Sequence, residues 1–143
     1  MKPTLFLRIA SVLTLIHSVL HTVGGVLSAP THGAEEIAVL DAMKFHSFNF
    51  MGSMRSYWDF HMGYGLLVTI SLLTQAVLFW QLSTLAKTDA LGIRPIVALF
   101  CLGYVGFAIV AWNYFFIAPA VTELLIALCL GLAFALVRPV GSA

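Results

Sequence analysis

Long runs without a charged residue govern what this chain can fold into. No Lys, Arg, Asp or Glu stands between Arg8 and Glu35 or between Met62 and Ala86, and Glu123 is the only one from Ile96 to Val137. An apolar helix of about 20 residues crosses a hydrocarbon layer of roughly 30 Å, so each run is long enough to span and the last is long enough for two spans. The sequence is 61% hydrophobic and 9% charged, with a mean hydropathy of +1.01. Soluble domains carry about 25% charged residues. These numbers predict an all-α, integral membrane four-helix bundle forming one transmembrane domain over residues 1–143.

The spans are expected at about 5–28, 57–83, 96–113 and 119–137, with an outer connector over 29–55. The first could imitate a secretory signal, because Lys2 and Arg8 resemble an n-region and Val26-Leu27-Ser28-Ala29 a cleavage site. It is longer than a usual h-region and contains two histidines, so it reads as a retained helix. In the connector, Ile37, Leu40, Met43 and Phe48 recur at near-helical spacing after the breakers Pro30 and Gly33. That pattern predicts a short amphipathic helix on the membrane surface, with a loose lid as the alternative. The break between the last two spans falls at Trp112-Asn113-Tyr114-Phe115-Phe116, with Pro119 opening the fourth helix where its missing N–H costs nothing.

Basic residues set the orientation. Lys2, Arg8, Lys87, Arg94 and Arg138 share the face that holds both termini, against Lys44 and Arg55 on the other. Positive residues collect on the cytoplasmic side, which predicts a multi-pass protein of a bacterial cytoplasmic membrane with both termini inside. The formal net charge of +1 gives no reason to expect a nucleic-acid partner. Cys101 and Cys129 stand in separate spans with no CxxC pair, which argues against a thiol oxidase and for small packing residues.

This topology places the polar groups of the spans in the outer half of the bilayer. His17 and His21 are one helical turn apart on a face that Thr14, Gly24 and Ser28 extend with small or polar residues. In the fourth helix Glu123 heads a row of small residues, Ala127, Gly131 and Ala135, suited to close helix approach. A carboxylate in hydrocarbon costs several kcal/mol unless it is protonated, paired or hydrated, so Glu123 needs a partner, and a histidine of helix one or two is the candidate. The bland reading is a hydrogen-bonded knot that fixes helix register.

Three functional readings compete with it. The first is a cavity binding a lipid-like or small apolar molecule, formed by His17, His21, Tyr57, Trp58, Asp59, His61, Tyr64, Trp112, Asn113, Phe116 and Glu123. The second is an enzyme in which Glu123 and His21 act as general acid and base on a membrane-partitioned substrate, an isomerase-like scheme. Sterol isomerases of the emopamil-binding type are similar in layout only, without matching motifs. The third is a divalent metal held by His17, His21 and His61. Haem fits poorly, because only His61 stands opposite the His17 and His21 pair. Small-residue rows also suit a homo-oligomer or a partner membrane protein that this chain would serve as an accessory subunit.

Arg55-Ser56-Tyr57-Trp58-Asp59-Phe60 opens the second span, with Gly52 before it and Gly63-x-Gly65 after it. Arg55 and Asp59, four residues apart, are expected to pair on one helix face, and the aromatic residues to form an interfacial belt. The string resembles the arginine-x-tyrosine-tryptophan-aspartate-phenylalanine signature of a group of small bacterial four-span membrane proteins. The resemblance covers most of the chain; it implies the four-span fold and no particular activity.

Overall fold

The computed structural model describes residues 2–29 and 32–137, so Pro30 and Arg138 lie outside the described residues. Helix α1 (Pro3–His21) runs into a π turn (Thr22–Val26). Then follow α2 (Ala34–Phe45), strands β1 (Ser47–Phe50) and β2 (Ser53–Ser56), α3 (Tyr57–Leu85), α4 (Ala90–Tyr114) and α5 (Ile117–Leu136). Among the described residues the fold is helical apart from one antiparallel hairpin. Four helices of the described residues are long and apolar enough to cross a membrane, at Pro3–Val26, Tyr57–Leu85, Ala90–Tyr114 and Ile117–Leu136. The chain divides into two compact units, Ser18–Ser71 and the remainder.

In the larger unit, the start of α1, the end of α3, α4 and α5 enclose one core. Buried positions recur every three or four residues: Leu7, Ala10 and Thr14 on α1; Leu72, Ala76, Phe79 and Ser83 on α3; Ile93 and Val97 on α4; Glu123, Ala127, Leu130 and Ala133 on α5. That spacing returns a side chain to the same stripe every two turns. The Phe79 ring, fully buried, packs at 5.3 Å from Phe100 and 5.9 Å from Tyr104. Without water, buried hydroxyls must find acceptors inside the protein. Ser11 Oγ donates to the Ala76 carbonyl at 2.7 Å and Ser83 Oγ to that of Trp80 at 2.7 Å. The Arg8 guanidinium lies over Trp80 at 5.1 Å and that of Arg94 over Phe134 at 4.3 Å.

Helix α4 starts six residues earlier than its span does in the sequence reading, because Asp89 caps it by accepting from the Gly92 N–H at 2.8 Å. Pro95 sits inside the helix as its sixth residue. It removes the bond to the Leu91 carbonyl and sets its ring against that carbonyl. Helix α5 begins at Ile117, so Pro119 is its third residue and its absent N–H still falls among the unpaired donors of the first turn. Only Phe115 and Phe116 separate α4 from α5. Cys101 Sγ donates to the Ala127 carbonyl at 3.4 Å, and both cysteines are free thiols.

The row expected on α5 turns out differently: Ala127 is buried, Gly131 half-buried and Ala135 exposed. Steps of four residues advance about 400° around a helix of 3.6 residues per turn, so a strict i+4 row drifts off the contact face. The alternating steps of three and four from Glu123 to Ile126, Leu130 and Ala133 keep to it.

In the unit Ser18–Ser71, Thr22 Oγ1 donates to the Ser18 carbonyl at 2.7 Å and meets Thr69 Oγ1 at 2.9 Å, while the Leu27 N–H reaches the Thr22 carbonyl at 2.9 Å. The last bond spans five residues and marks the π turn, within the segment read from sequence as plain α-helix. Gly65 allows the close approach of Val26, since a β-carbon there would stand 2.8 Å from Val26 Cγ2. The connector does form a helix, α2, but it ends at Phe45 and Phe48 belongs to β1, so Ile37, Leu40, Met43 and Phe48 do not share one helical face. The hairpin pairs Ser47 with Ser56, Phe48 with Arg55, Asn49 with Met54 and Phe50 with Ser53.

Candidate functional site

The buried His17–Glu123 pair is the centre of the candidate site. Glu123 projects from the first turns of α5 into the core stripe, and His17 from the matching stripe of α1. Nδ1 of His17 lies 3.2 Å from Oε1 of Glu123, with the two side chains 12% and 9% exposed. The distance is that of an ion pair, although its angle is poor for a straight hydrogen bond. The second carboxylate oxygen, Oε2, is buried without a hydrogen-bond partner among the described residues.

One turn before His17 on α1, Thr14 forms a second buried polar contact. Its Oγ1 donates to the Ala10 carbonyl at 2.8 Å and lies 3.4 Å from the hydroxyl of Tyr104. The single Thr14 proton is committed to Ala10, so Tyr104 is the donor in that contact. Tyr104 and Ser11 went unread in the sequence. The available signals were a hydroxyl flanked by Gly103 and Gly106 in mid-span, since a buried tyrosine needs a partner for its O–H, and a serine three positions from Thr14 on the same face.

The expected histidine partner for Glu123 is present, and it is His17. His21, the residue expected to act with Glu123 in catalysis, is engaged elsewhere: its Nε2 is 3.0 Å from the Gly65 carbonyl. A carbonyl only accepts, so Nε2 carries the proton and donates. His61 is exposed and stacks on Trp58, with ring centroids 5.2 Å apart. Among the described residues no group of three or more His, Cys, Asp or Glu side chains is placed to hold a metal ion, so His17, His21 and His61 do not form the predicted ligand set.

The Arg55–Asp59 pairing gives way to a different arrangement. Arg55 lies in β2, before the helix starts, and so has no helical face to share with Asp59; its Nη1 donates to the Met54 carbonyl at 2.7 Å. Asp59 Oδ2 accepts from the Ser56 N–H at 2.8 Å and the Ser56 hydroxyl at 3.1 Å. The Asp59 N–H returns to Ser56 Oγ at 3.2 Å, a reciprocal cap that starts α3. The aromatic string anchors the hairpin: Tyr57 lies 5.1 Å from Phe48, Phe60 lies 5.3 Å from Phe50, and the Lys44 ammonium sits 4.7 Å above Trp58.

The remaining cavity residues point outward. Tyr64 is 68% exposed, Trp112 69% and Phe116 70%, while Asn113 turns back to donate to the Ile109 carbonyl at 2.7 Å. A hollow of about 440 Å3 is lined by Lys2, Pro3, Thr4, Ala86 and Lys87. Another, of about 490 Å3, is lined by Trp80, Gln81, Thr84, Leu85, Lys87 and Thr88. Neither includes a predicted site residue. Comparison with protein-family models, curated proteins and solved structures finds no match.

Proposed function

We propose that this chain is a multi-pass protein of the bacterial cytoplasmic membrane, termini inside, whose His17–Glu123 pair anchors a lipid-like or small apolar molecule through a hydroxyl or amine. The observation that carries the reading is the buried carboxylate of Glu123, with one oxygen held by His17 and the other without a hydrogen-bond partner among the described residues. An acceptor left unsatisfied in an apolar interior costs about 1–3 kcal/mol, which a donor on a membrane-partitioned molecule would recover. The pair also suits acid–base chemistry, because 3.2 Å is within reach for proton exchange. The metal reading has less support, since the three histidines have separate partners.

Native mass spectrometry of the purified chain, with elemental analysis, tests the proposal. The expected result is a co-purifying organic mass that the wild-type retains and Glu123→Gln loses, while the variant still folds. A wild-type sample with nothing bound, or a Glu123→Gln sample that retains the same mass, overturns it. Conversion of the bound molecule by wild-type but not by Glu123→Gln would favour acid–base use. Reporter fusions at the two termini and in the connector check the orientation, with cytoplasmic activity expected only at the termini.

A further inference from the structure

The β1–β2 hairpin reverses through Met51, at φ 51°, and Gly52, at φ 87°. Two consecutive positive φ values make a type I′ turn, whose first position favours Asn, Asp or Gly. Glycine adopts this backbone freely, whereas the β-carbon of methionine crowds the following carbonyl. The Gly52 N–H donates to Asn49 Oδ1 at 2.9 Å and closes the turn, while the Met51 side chain itself is 92% exposed. Beside it, Phe50 is 49% and Met54 60% exposed, and no charged residue occurs from Ser47 to Met54. The only charge in the ladder, Arg55, is paired with Phe48 at the end away from the turn.

The tip is held firmly to the start of α3. Ser56 ends β2 and caps α3 through Asp59, so no linker intervenes. Phe48 and Phe50 pack on Tyr57 and Phe60. A strand of four residues rises about 13 Å, so the tip lies within that distance of the first turn of α3. There Tyr57, exposed like Tyr64 about two turns further along the same face, begins the outward apolar surface of a helix long enough to span.

We propose that the hairpin tip is a membrane wedge, with Phe50, Met51 and Met54 seated among lipid chains in the leaflet where α3 begins. Lipid is the occupant that fits: Phe50, Met51 and Met54 are exposed at the tip, its polar neighbours Asn49 and Ser53 are uncharged, and the tip is continuous along the chain with the outward surface of α3. Contact with acyl chains supplies the burial that a methionine at this turn otherwise lacks. The inference rests on the membrane-spanning reading.

The test uses full-length protein in phosphatidylcholine vesicles, with Cys101→Ala and Cys129→Ala as background and an environment-sensitive fluorophore at Met51→Cys or, separately, at Leu128→Cys. Leu128, 56% exposed in mid-α5, reports whether the spans enter the bilayer. Lipids brominated near the headgroup end of the chains should quench the label at position 51, and aqueous iodide should not. Quenching at position 128 by deeply brominated lipid, with position 51 open to iodide, overturns the wedge and leaves the spans intact. Protection of position 51 from both quenchers also overturns it, since protein would then cover the tip. No bromine quenching at either position refutes the membrane reading itself. Met54→Cys repeats the measurement should Met51→Cys fail to fold.

Discussion

Removing either member of the His17–Glu123 pair should cost nearly as much as removing both. At 3.2 Å, two unit charges in an effective dielectric of about 20 attract by roughly 5 kcal/mol. Desolvation offsets much of this, at several kcal/mol per ion. Polar contacts between membrane helices reach about 1.7 kcal/mol in double-mutant cycles. A pair that is 12% and 9% exposed belongs near that upper end, so the expected coupling is about 1.5 kcal/mol. Glu123→Gln and His17→Ala should each destabilise by about 2 kcal/mol, and the double variant by about 2.5 kcal/mol, because either single change leaves the other group buried without its counterpart. Unfolding free energies from denaturing-detergent titration in mixed micelles measure all four corners of the cycle. Additivity to within about 0.4 kcal/mol would show that the two groups do not interact and would remove the basis of the proposed site.

Three further outcomes are expected. Gly65→Ala pushes a methyl group into Val26 and should lower stability by about 1–3 kcal/mol; Val26→Ala should restore part of the loss, and a lack of any rescue in thermal melts would place the strain elsewhere. Phe79→Ala empties the centre of the aromatic core and should cost about 3–5 kcal/mol by detergent titration, with a smaller value expected only if Phe100 and Tyr104 collapse into the space. Ser56→Ala breaks the reciprocal cap of α3 and should cost about 1 kcal/mol, with faster amide exchange at residues 57–60 and none of the effect on α5.

The helices were readable because charge is absent over lengths that match a bilayer, a signal that needs no knowledge of packing. Their ends were less so. Asp89 and Pro95 give opposite indications for the start of α4, and the helix runs from the Asp89 cap through Pro95 despite the lost bond there. The hairpin was missed because four-residue strands carry too little alternation, and its turn uses Met-Gly in place of the usual Asn-Gly. At the site, the need of Glu123 for an imidazole followed from the cost of a lone carboxylate in hydrocarbon. The choice of His17 did not, since His17 and His21 differ by only about 40° around the helix, and contacts distant in sequence decide which one turns toward α5.

The two-residue link between α4 and α5 bears on biosynthesis. Phe115 and Phe116 leave no polar segment to pause at the far surface, so a chain inserted as proposed must deliver these spans to the bilayer together as one helical hairpin. A product terminated after Tyr114 would then insert poorly, and protease protection of nascent chains of increasing length would show α4 becoming sheltered only once α5 has been made.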